Sequence, residues 1–232
     1  MNNKKIVIFT GAGVSAESGI KTFRDAGGLW EEHKVEDVAS ADGWYRDPEL
    51  VLNFYNARRI QLVDAKPNKA HYLIADLEKK YDVQVITQNV DNLHEKAGST
   101  KVLHLHGELM KVRSTANENL IYDVADISKN KTDINIGDKC ELGSQLRPHI
   151  VFFGEAVPNM TPAIKLTADA DIFCVIGTSL AVYPAASLLY YVSSSTKIYL
   201  VDPNPSSNIS SDINIISEKA TTGVAKLIEL LN

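Results

Sequence analysis

An apolar run that ends in a glycine-rich turn constrains this chain more than any other feature. The run Ile6-Val7-Ile8-Phe9 is typical of a buried strand, and Gly11-Ala12-Gly13-Val14-Ser15-Ala16 follows it closely. Small residues at the end of a strand let a phosphate approach the backbone, and Gly11-x-Gly13-x-x-Ala16 fits a dinucleotide fingerprint. The motif alone does not decide, because a tight turn between a strand and a helix that binds nothing has the same pattern.

The residues after this turn argue against an ordinary dehydrogenase. A hydride-transferring Rossmann unit continues with a helix and a second strand, which ends in an acidic residue about 20 positions on. Here the chain continues as a loop rich in glycine and charge that runs from Ser18 to Trp30. We expect this loop to be a mobile cover over the nicotinamide end of a bound dinucleotide rather than a linker.

The composition limits the classes of function. The 232 residues are 44% hydrophobic and 23% charged, as in an ordinary globular protein with one substantial core. The net charge of -5 disfavours a nucleic-acid surface and would attract basic partners such as lysine-bearing protein segments. Since no apolar run reaches the roughly 20 residues that span a bilayer, and no signal peptide precedes the first strand, we expect a cytosolic monomer with no membrane partner.

Short apolar runs bounded by Gly, Asp and Pro predict six strands, over residues 6–9, 83–86, 102–105, 150–153, 172–176 and 198–201. Helical periodicity covers residues 48–63, 68–80, 184–192 and 222–231. Several strands are apolar on both faces, as in a sheet that helices cover on both sides. The predicted fold class is therefore α/β, a Rossmann-like parallel sheet with helices on both faces and a small inserted domain.

Two stretches interrupt the alternation of strands and helices. Residues 30–80 are helical without an intervening strand, and residues 109–144 are polar, rich in Asn and Lys, and weakly patterned. We predict that these two insertions form the small domain, with a cleft between it and the larger one. The Rossmann-like domain then comprises residues 1–29, 81–108 and 145–232.

Two polar segments follow predicted strands and point to an enzyme. The first, Thr87-Gln88-Asn89-Val90-Asp91-Asn92-Leu93-His94, lies at the carboxyl end of a strand, where open α/β sheets bind ligands. Its amide and carboxylate groups suit a carboxamide and a ribose hydroxyl, although an Asx turn or a helix cap would explain Asp91 or Asn92 alone. In the second, Leu103-His104-Leu105-His106-Gly107, His106 stands at a strand end. The unperturbed pKa of histidine, near 6.5, suits a general base.

At this point the chain resembles the sirtuins, the NAD-dependent protein lysine deacylases. Six motifs carry the resemblance in family order over essentially the whole length: Gly11 to Arg24, Gln88 to Asp91, Leu105-His106-Gly107, Leu146 to Glu155, Gly177-Thr178-Ser179 and Val201 to Asn204. The resemblance implies that NAD is consumed as a cosubstrate. The acyl oxygen of a modified lysine attacks C1′ of NAD, nicotinamide leaves, and the products are free lysine and 2′-O-acyl-ADP-ribose.

The resemblance also assigns roles to residues. His106 would be the general base, with Asn89 and Asp91 as further catalytic residues. Phe23 would shield the reactive face of the ribose, and Arg24 would belong to the cover. The residues expected to bind the cofactor are Gly11, Ala12, Gly13, Ser15, Ala16, Glu17, Thr22, Phe23, Arg24, Trp30, Gln88, Asn89, Val90, Asp91, Gly177, Thr178, Ser179, Asp202, Pro203, Asn204 and Ala220.

The substrate is expected to be an acylated lysine side chain of a protein. Phe153-Gly154-Glu155 and Val182-Tyr183-Pro184 would be strand-like and would clamp an extended peptide by main-chain hydrogen bonds, a mode that tolerates many sequences. The substrate-binding residues predicted by the resemblance and by the acyl-pocket pattern are Ala39, Tyr55, Arg58, Val151, Phe153, Gly154, Glu155, Val182 and Tyr183.

A tyrosine and an arginine predict which acyl group is removed. Tyr55 and Arg58 lie three residues apart in a helical stretch, so their side chains share a face. A phenol and a guanidinium can bind a carboxylate through charge-assisted hydrogen bonds, which an acetyl group cannot use. This Tyr-x-x-Arg pattern resembles the class III sirtuins, the desuccinylases and demalonylases, and Ala39 matches the small residue of their wider pocket. The alternative is a solvated arginine and an ordinary core tyrosine.

The chain departs from the family at the structural zinc. Most sirtuins hold zinc in the small domain with four cysteines in two pairs. Here Ser114 stands where the first cysteine would fall, and of the two cysteines in the chain only Cys140 lies in this region, since Cys174 belongs to a buried strand. We expect no zinc and no other metal, because one thiolate without a nearby histidine cannot form a tetrahedral site.

Three other functions stay open at this stage. A protein mono-ADP-ribosyltransferase would use the same NAD site with another nucleophile. A module that binds NAD or ADP-ribose without catalysis is disfavoured, since His106, Asn89 and Asp91 are all present. A dehydrogenase is the most distant of the three.

Overall fold

The fold is a parallel sheet with a smaller antiparallel sheet beside it. A computed structural model describes residues 4–20, 29–30, 33–178, 180, 182–205 and 210–231, without the side chains of residues 29 and 30. The helices are α1 (Gly13–Ala16), α2 (Val35–Val38), α3 (Ala41–Arg46), α4 (Pro48–Asp64), α5 (Lys69–Asp76), α6 (Leu93–Lys96), α7 (Val124–Ile127), α8 (Met160–Ala168) and α9 (Ala220–Leu231), with 3-10 helices at Leu77–Lys79 and Ala185–Tyr191.

The strands form three sheets. They are β1 (Lys5–Thr10), β2 (Leu29–Trp30), β3 (His33–Lys34), β4 (Asp82–Thr87), β5 (Val102–His104), β6 (Gly107–Ser114), β7 (Ile121–Asp123), β8 (Leu146–Ile150), β9 (Ile172–Ile176), β10 (Lys197–Val201) and β11 (Ile213–Ile216). The six-stranded sheet has the order β11-β10-β9-β1-β4-β5, and all its pairs are parallel. This Rossmann-like arrangement confirms the predicted fold class.

The central strands are buried on both faces because helices cover both sides of the sheet. In β1, Ile6 and Ile8 belong to one hydrophobic cluster, and Val7 and Phe9 belong to another. Successive side chains of a strand point to opposite faces, so each half of β1 packs on a different helical layer. Helices α5 and α9 supply the first layer, whereas α8 and the 3-10 helix at Ala185–Tyr191 supply the second.

The small antiparallel sheet was not predicted. Its order is β7-β6-β8, and it packs against α4 in a third hydrophobic cluster. The prediction of a strand over residues 150–153 was wrong, because the strand ends at Ile150 and pairs with β6 rather than with the parallel sheet. The prediction of no strand between residues 30 and 80 was also wrong, since β3 pairs with β2. The domain bounds stay a prediction, although β8 lies beyond the expected limit at residue 144.

A buried arginine ties α4 to the polar insertion. Arg59 is fully buried, and its guanidinium donates to the carbonyls of Leu109 at 2.8 Å and Thr132 at 3.2 Å and to Asn56 Oδ1 at 2.6 Å. Asn56 in turn donates to the Ile134 carbonyl at 3.0 Å and accepts from the Ile134 N–H at 3.0 Å. Hydrogen bonds to buried backbone groups therefore fix a segment that has little apolar pattern of its own.

Ser114, which stands where the first zinc-binding cysteine of the family would fall, contacts Cys140. The Cys140 thiol donates to Ser114 Oγ at 3.2 Å, and Ser114 Oγ also accepts from the N–H groups of Ala116 and Asn117 at 3.1 and 3.3 Å. Within the described ranges, no group of three or more His, Cys, Asp or Glu side chains is arranged to hold a metal ion. The contact between the serine hydroxyl and the thiol thus joins the end of β6 to the segment that precedes β8, and the turn after Ser114 is an ordinary one.

Among the helices that the structure describes, none combines the length and the apolar character needed to cross a membrane.

Removal of metal is predicted to leave this protein unchanged. Because hydrogen bonds from Arg59, Asn56 and Ser114 already hold the insertion, excess EDTA should alter neither the thermal unfolding midpoint nor the activity. Differential scanning calorimetry before and after dialysis against EDTA measures the first quantity, and elemental analysis of the purified protein measures bound zinc. Stoichiometric zinc, or unfolding on chelation, would contradict the prediction.

Candidate functional site

A cavity opens at the carboxyl ends of the parallel strands. Its volume is about 530 Å³, and it continues between the parallel sheet and the elements of the small sheet. Ligands bind at this edge in open α/β sheets, because the loops after each strand converge there. The predicted residues that line it are Gly11, Ala12, Gly13, Ser15, Ala39, Tyr55, Arg58, Gln88, Asn89, Val90, Asp91, His106, Val151, Phe153, Gly154, Glu155, Gly177, Thr178, Val182, Tyr183, Asp202 and Asn204.

Two glycine loops meet backbone to backbone at the floor of this cavity. The Gly13 N–H donates to the Gly177 carbonyl at 2.8 Å, and Gly177 has a φ of +62°. A Cβ on Gly13 would lie 2.7 Å from the Gly177 Cα, and a Cβ on Gly177 would lie 2.4 Å from the Val14 nitrogen. Both distances are too short for a carbon atom, so only glycine lets the ends of β1 and β9 approach this closely. The result is a cradle of bare backbone that suits a pyrophosphate.

The segment after β4 is held by hydrogen bonds from both sides. The Gln88 N–H donates to the Thr10 carbonyl at 2.9 Å, and the Gln88 side chain donates to Thr178 Oγ1 at 3.0 Å. The Asn89 N–H donates to Thr87 Oγ1 at 3.0 Å. Since Thr10 ends β1 and Thr178 follows β9, three neighbouring strand ends fix the position of this amide-bearing segment.

Asp91 and Asn89 meet at a buried serine. Ser15 Oγ donates to Asp91 Oδ2 at 2.9 Å and accepts from Asn89 Nδ2 at 3.1 Å. The other oxygen of Asp91 accepts from the Leu93 N–H at 3.1 Å, at the start of α6. Burial raises the pKa of Asp91, and these hydrogen bonds partly offset that rise. Asp91 therefore has a fixed orientation beside the cavity, where a carboxylate can accept hydrogen bonds from a sugar hydroxyl.

Two histidines that were given no role in the predictions lie beneath this group. His71 Nδ1 accepts from the Asn68 N–H at 3.3 Å, so its Nε2 carries the proton and faces Ser15 Oγ at 3.4 Å. His94 Nε2 lies 3.1 Å from Thr10 Oγ1. Burial lowers the pKa of His71 to about 4 and the pKa of His94 well below its ordinary value. Both are neutral near pH 7 and act as hydrogen-bonding partners, not as charges.

His106 lines the cavity, and one of its ring nitrogens is hydrogen-bonded to the backbone. Its Nδ1 lies 3.0 Å from the Gln88 carbonyl, to which it can only donate, so a neutral ring leaves Nε2 unprotonated. Burial lowers the pKa of His106, and the bond to Gln88 opposes that effect in part. The next residue, Gly107, has a φ of +85°, and its Cβ would lie 2.0 Å from the His149 carbonyl oxygen. The tautomer, the neutral charge and the position at a strand end all suit a general base.

Tyr55 and Arg58 lie on α4 and line the same cavity as His106. Tyr55 is 1% exposed and Arg58 is 8% exposed, so neither belongs to a solvated helix face. Among the described residues, the Tyr55 hydroxyl has no hydrogen-bond partner. Burial raises the pKa of Tyr55, and the neighbouring Arg58 opposes that effect more than any other charge. A hydroxyl and a guanidinium from one helix thus line the same cavity.

Aromatic packing fixes this part of the cavity. The Tyr55 ring packs on Phe152 at 5.9 Å and edge-on against Phe54 at 5.1 Å between ring centroids. The Arg147 guanidinium lies 4.0 Å from the centroid of Phe152, a cation–π contact on the side chain that supports Tyr55. Ala39 is 4% exposed and lines the same cavity with a single methyl group.

The segments expected to clamp a peptide line the cavity, but they are not strand-like. Gly154 has a φ of +91° in a turn, and the Phe153 N–H and carbonyl are already bonded to Ala39 at 2.8 Å and Ala41 at 3.2 Å. On the other side, the Val182 carbonyl accepts from the Ala186 N–H at 2.9 Å, at the start of the 3-10 helix. The expectation of two extended segments was wrong, because glycine and proline form turns there.

Glu155 faces inward rather than toward a peptide. Its carboxylate accepts from Arg147 at 2.6 and 3.2 Å, from Arg113 at 3.2 Å and from the Phe152 N–H at 2.8 Å. Burial alone would raise the pKa of Glu155, but these bonds hold it below its ordinary value. Its side chain therefore fixes the turn at residues 152–155 and does not offer a charge to a substrate.

Some of the predicted cofactor residues lie away from this cavity. Ala16 is exposed and Ala220 packs in the core at the start of α9, whereas Glu17 accepts from the Thr221 N–H at 3.1 Å and from its hydroxyl at 3.0 Å. Pro203 does not line the cavity, although its neighbours Asp202 and Asn204 do. Four predicted residues and one side chain fall outside the described residues, namely Thr22, Phe23, Arg24, Ser179 and the side chain of Trp30.

Several functional neighbours escaped the sequence analysis. Leu62 in α4 and Leu109 in β6 line the cavity but belong to no shared motif, and Ile150 and Phe152 line it too, within the motif Leu146 to Glu155, where they had no assigned role. The histidine at 71 had one available signal, since Asn68 and His71 form a capping box at the start of α5. No local pattern could have indicated that this cap lies under the cavity.

Comparison with known proteins gives one family. The model of the Sir2 family matches residues 11–184 of the chain. An NAD-dependent protein deacylase of Bacteroides thetaiotaomicron is 53% identical over 229 residues, which cover 98% of this chain and 98% of that protein. An NAD-dependent protein deacylase of Helicobacter pylori is 51% identical over 229 residues, with 98% and 97% covered.

Solved structures give the same likeness. A Sir2 homologue in complex with NAD has a TM-score of 0.84 at 38% identity, with 99% of this chain and 91% of that chain covered. A Sir2 homologue variant in complex with 2′-O-acetyl ADP ribose has a TM-score of 0.85 at 39% identity, with 99% and 92% covered.

Proposed function

The chain belongs to the Sir2 family, and from that membership we propose that it removes acyl groups from lysine side chains of proteins, with NAD as the consumed cosubstrate. The acyl groups that suit its cavity best end in a carboxylate, as succinyl and malonyl groups do. One observation carries this finer proposal: Tyr55 and Arg58 are buried in the same cavity that His106 lines.

The residues present fit an NAD molecule. The bare backbone at Gly11, Gly13 and Gly177 forms a cradle that suits a pyrophosphate, since a Cβ on any of the three would collide with the facing loop and force the two loops apart. Gln88 and Asn89 would hold the nicotinamide and its ribose, and Asp202 and Asn204 would line the adenosine end. When bound, NAD supplies an electrophilic ribose carbon and nicotinamide as the leaving group.

The contribution of the protein to the reaction is orientation and one proton transfer. The Ser15, Asn89 and Asp91 network fixes donors and acceptors before any ligand arrives, so little rearrangement is needed during the reaction. His106, with Nδ1 bonded to Gln88 and Nε2 unprotonated, removes a proton from a ribose hydroxyl. The apolar residues around Tyr55 exclude water from the acyl group.

Selectivity for acidic acyl groups follows from charge and burial. The Arg58 guanidinium is only 8% exposed, so water screens its charge little, and a substrate carboxylate that reaches it would gain charge-assisted hydrogen bonds. The Tyr55 hydroxyl adds a donor. An acetyl group supplies no carboxylate, so it binds without these bonds.

One experiment tests both levels of the proposal. Acetyl-, succinyl- and malonyl-lysine peptides of one sequence are incubated with the protein, with and without NAD, and all products are measured by mass spectrometry. The expected result is NAD-dependent release of free lysine peptide, nicotinamide and acyl-ADP-ribose, fastest for the acidic acyl groups. ADP-ribose attached to protein with no acyl-ADP-ribose would contradict deacylation, and equal rates on all peptides would contradict only the acyl preference.

Replacement of Arg58 is predicted to change selectivity rather than to abolish activity. In R58M, kcat/KM for the succinyl peptide should fall about 10- to 100-fold, the value of one or two hydrogen bonds to a charged group, while deacetylation changes little. Y55F should give a smaller loss in the same direction. R46M is the matched control, since Arg46 is an exposed arginine that pairs with Asp37 away from the cavity. Equal losses on both acyl groups in R58M would refute carboxylate recognition.

The acid limb of the pH profile is predicted to lie low. A general base works only when it is unprotonated, and burial holds the pKa of His106 below 6.5. As the pH falls, kcat/KM should therefore reach half of its plateau value only below pH 6.5. The profile is measured with saturating NAD, and H106N should lower turnover about 100- to 10,000-fold at every pH. An acid limb with its midpoint at or above pH 6.5, or full turnover in H106N, would contradict this role.

A further inference from the structure

His104 lies next to the catalytic segment, and both of its ring nitrogens face an acceptor. It is the last residue of β5 and is 7% exposed. Its Nδ1 lies 3.0 Å from the Asn89 carbonyl oxygen, and its Nε2 lies 2.7 Å from Glu95 Oε1. Neither a carbonyl nor an ionised carboxylate can donate, and a neutral imidazole has only one N–H. Both contacts are hydrogen bonds only when the ring carries two protons, so the geometry describes an imidazolium.

The bonds of His104 close a ring around the catalytic segment. Glu95 lies in α6, and α6 begins at Leu93, whose N–H is bonded to Asp91. Asp91 and Asn89 share Ser15, and the Asn89 carbonyl returns to His104. β5, α6 and the segment 88–91 are therefore connected through one charged side chain.

The two histidines around Leu105 act on consecutive carbonyl groups. His106 Nδ1 is bonded to Gln88 and His104 Nδ1 to Asn89, each at 3.0 Å. A shift of the Asn89 carbonyl would move the neighbouring peptide group, and with it the tether of His106 and the Asn89 amide in the cavity.

We propose that His104 is a positioning residue for the deacylation reaction, and that its imidazolium, bonded to Asn89 and Glu95, holds the segment 88–91 in the geometry that turnover needs. The proposal rests on the proposed function. Loss of one proton breaks one of the two bonds, so turnover falls as the pH rises through the pKa of His104.

The titratable groups that face His104 come from three parts of the chain. They are Glu95 and the neutral His94 in α6, Glu108 in β6, and Asp91 in the segment after β4. Burial lowers the pKa of His104, but the hydrogen bond and charge of Glu95, the Asn89 carbonyl and the charge of Glu108 outweigh it and leave the pKa raised. In turn, the hydrogen bond and charge of His104 lower the pKa of Glu95. The imidazolium thus persists at a higher pH than an isolated histidine would allow.

The variant E95Q separates positioning from mere structure. The Glu95 side chain is 40% exposed, so the replacement should fold, and glutamine can still accept from His104 without a charge. The alkaline limb of kcat/KM for NAD should then move to lower pH by about one unit. Between the midpoint of its own limb and that of wild type, E95Q should be about 3- to 10-fold slower than wild type. Near pH 6 the two should have the same rate, and KM for the acyl peptide should not change.

E108Q is the matched control. It removes a carboxylate that also faces His104 but is bonded to Lys111 at 3.0 Å instead. Its alkaline limb should stay within about 0.3 units of wild type, because only a distant charge is lost. Superimposable pH profiles for wild type and E95Q would overturn the proposal.

A measurement without catalysis makes the outcome independent of activity. In ¹⁵N-histidine-labelled protein, one of the six histidines should show both ring nitrogens protonated at pH 7, and E95Q should lower its titration midpoint. A neutral His104 at pH 7 would overturn the proposal while the deacylase function stands. Absence of NAD-dependent deacylation in the wild type would overturn the proposed function, and the positioning role with it.

Discussion

The close contact of two glycine loops is the constraint on which the rest of the structure depends. Gly13 and Gly177 approach so closely that a methyl group on either would overlap the other backbone. This contact joins the ends of β1 and β9, which are neighbours in the parallel sheet. Because β4 is the other neighbour of β1, the segment 88–91 is brought within hydrogen-bond distance of Thr10 and Thr178. The proposed phosphate cradle and the position of the segment 88–91 therefore share one cause.

Four histidines near this edge are shielded from water, yet they differ in charge. His71 and His94 face serine, threonine and backbone groups, and desolvation keeps both neutral. His106 is also neutral, but it keeps an unprotonated nitrogen toward the cavity. His104 is buried too, yet Glu95 stabilises its charged form. The nearest partner of each ring, rather than its depth, decides its proton count.

The sequence predicted the parallel sheet and the residues at its strand ends well, because apolar runs and glycine motifs are local signals. It failed for the small sheet, since β6 has polar residues at buried and half-buried positions and pairs with β8 across a long insertion. The sequence also did not indicate that the Glu155 carboxylate turns inward. Its partners Arg113 and Arg147 lie 42 and 8 residues away along the chain, and no local pattern links them to it. Long-range polar pairing carries no periodicity, so only the fold reveals it.

One short segment connects His106, the proposed base, with Ala39 and Tyr55, the proposed acyl-binding residues. The Val151 N–H donates to the His106 carbonyl at 3.0 Å, and two residues later the Phe153 N–H donates to the Ala39 carbonyl at 2.8 Å. Between them, Phe152 packs on Tyr55 and on the Arg147 guanidinium. The segment 151–153 therefore contacts His106 on one side and Ala39 and Tyr55 on the other. Since Glu155 binds Arg147 and the Phe152 N–H together, one carboxylate fixes this segment between His106 and Tyr55.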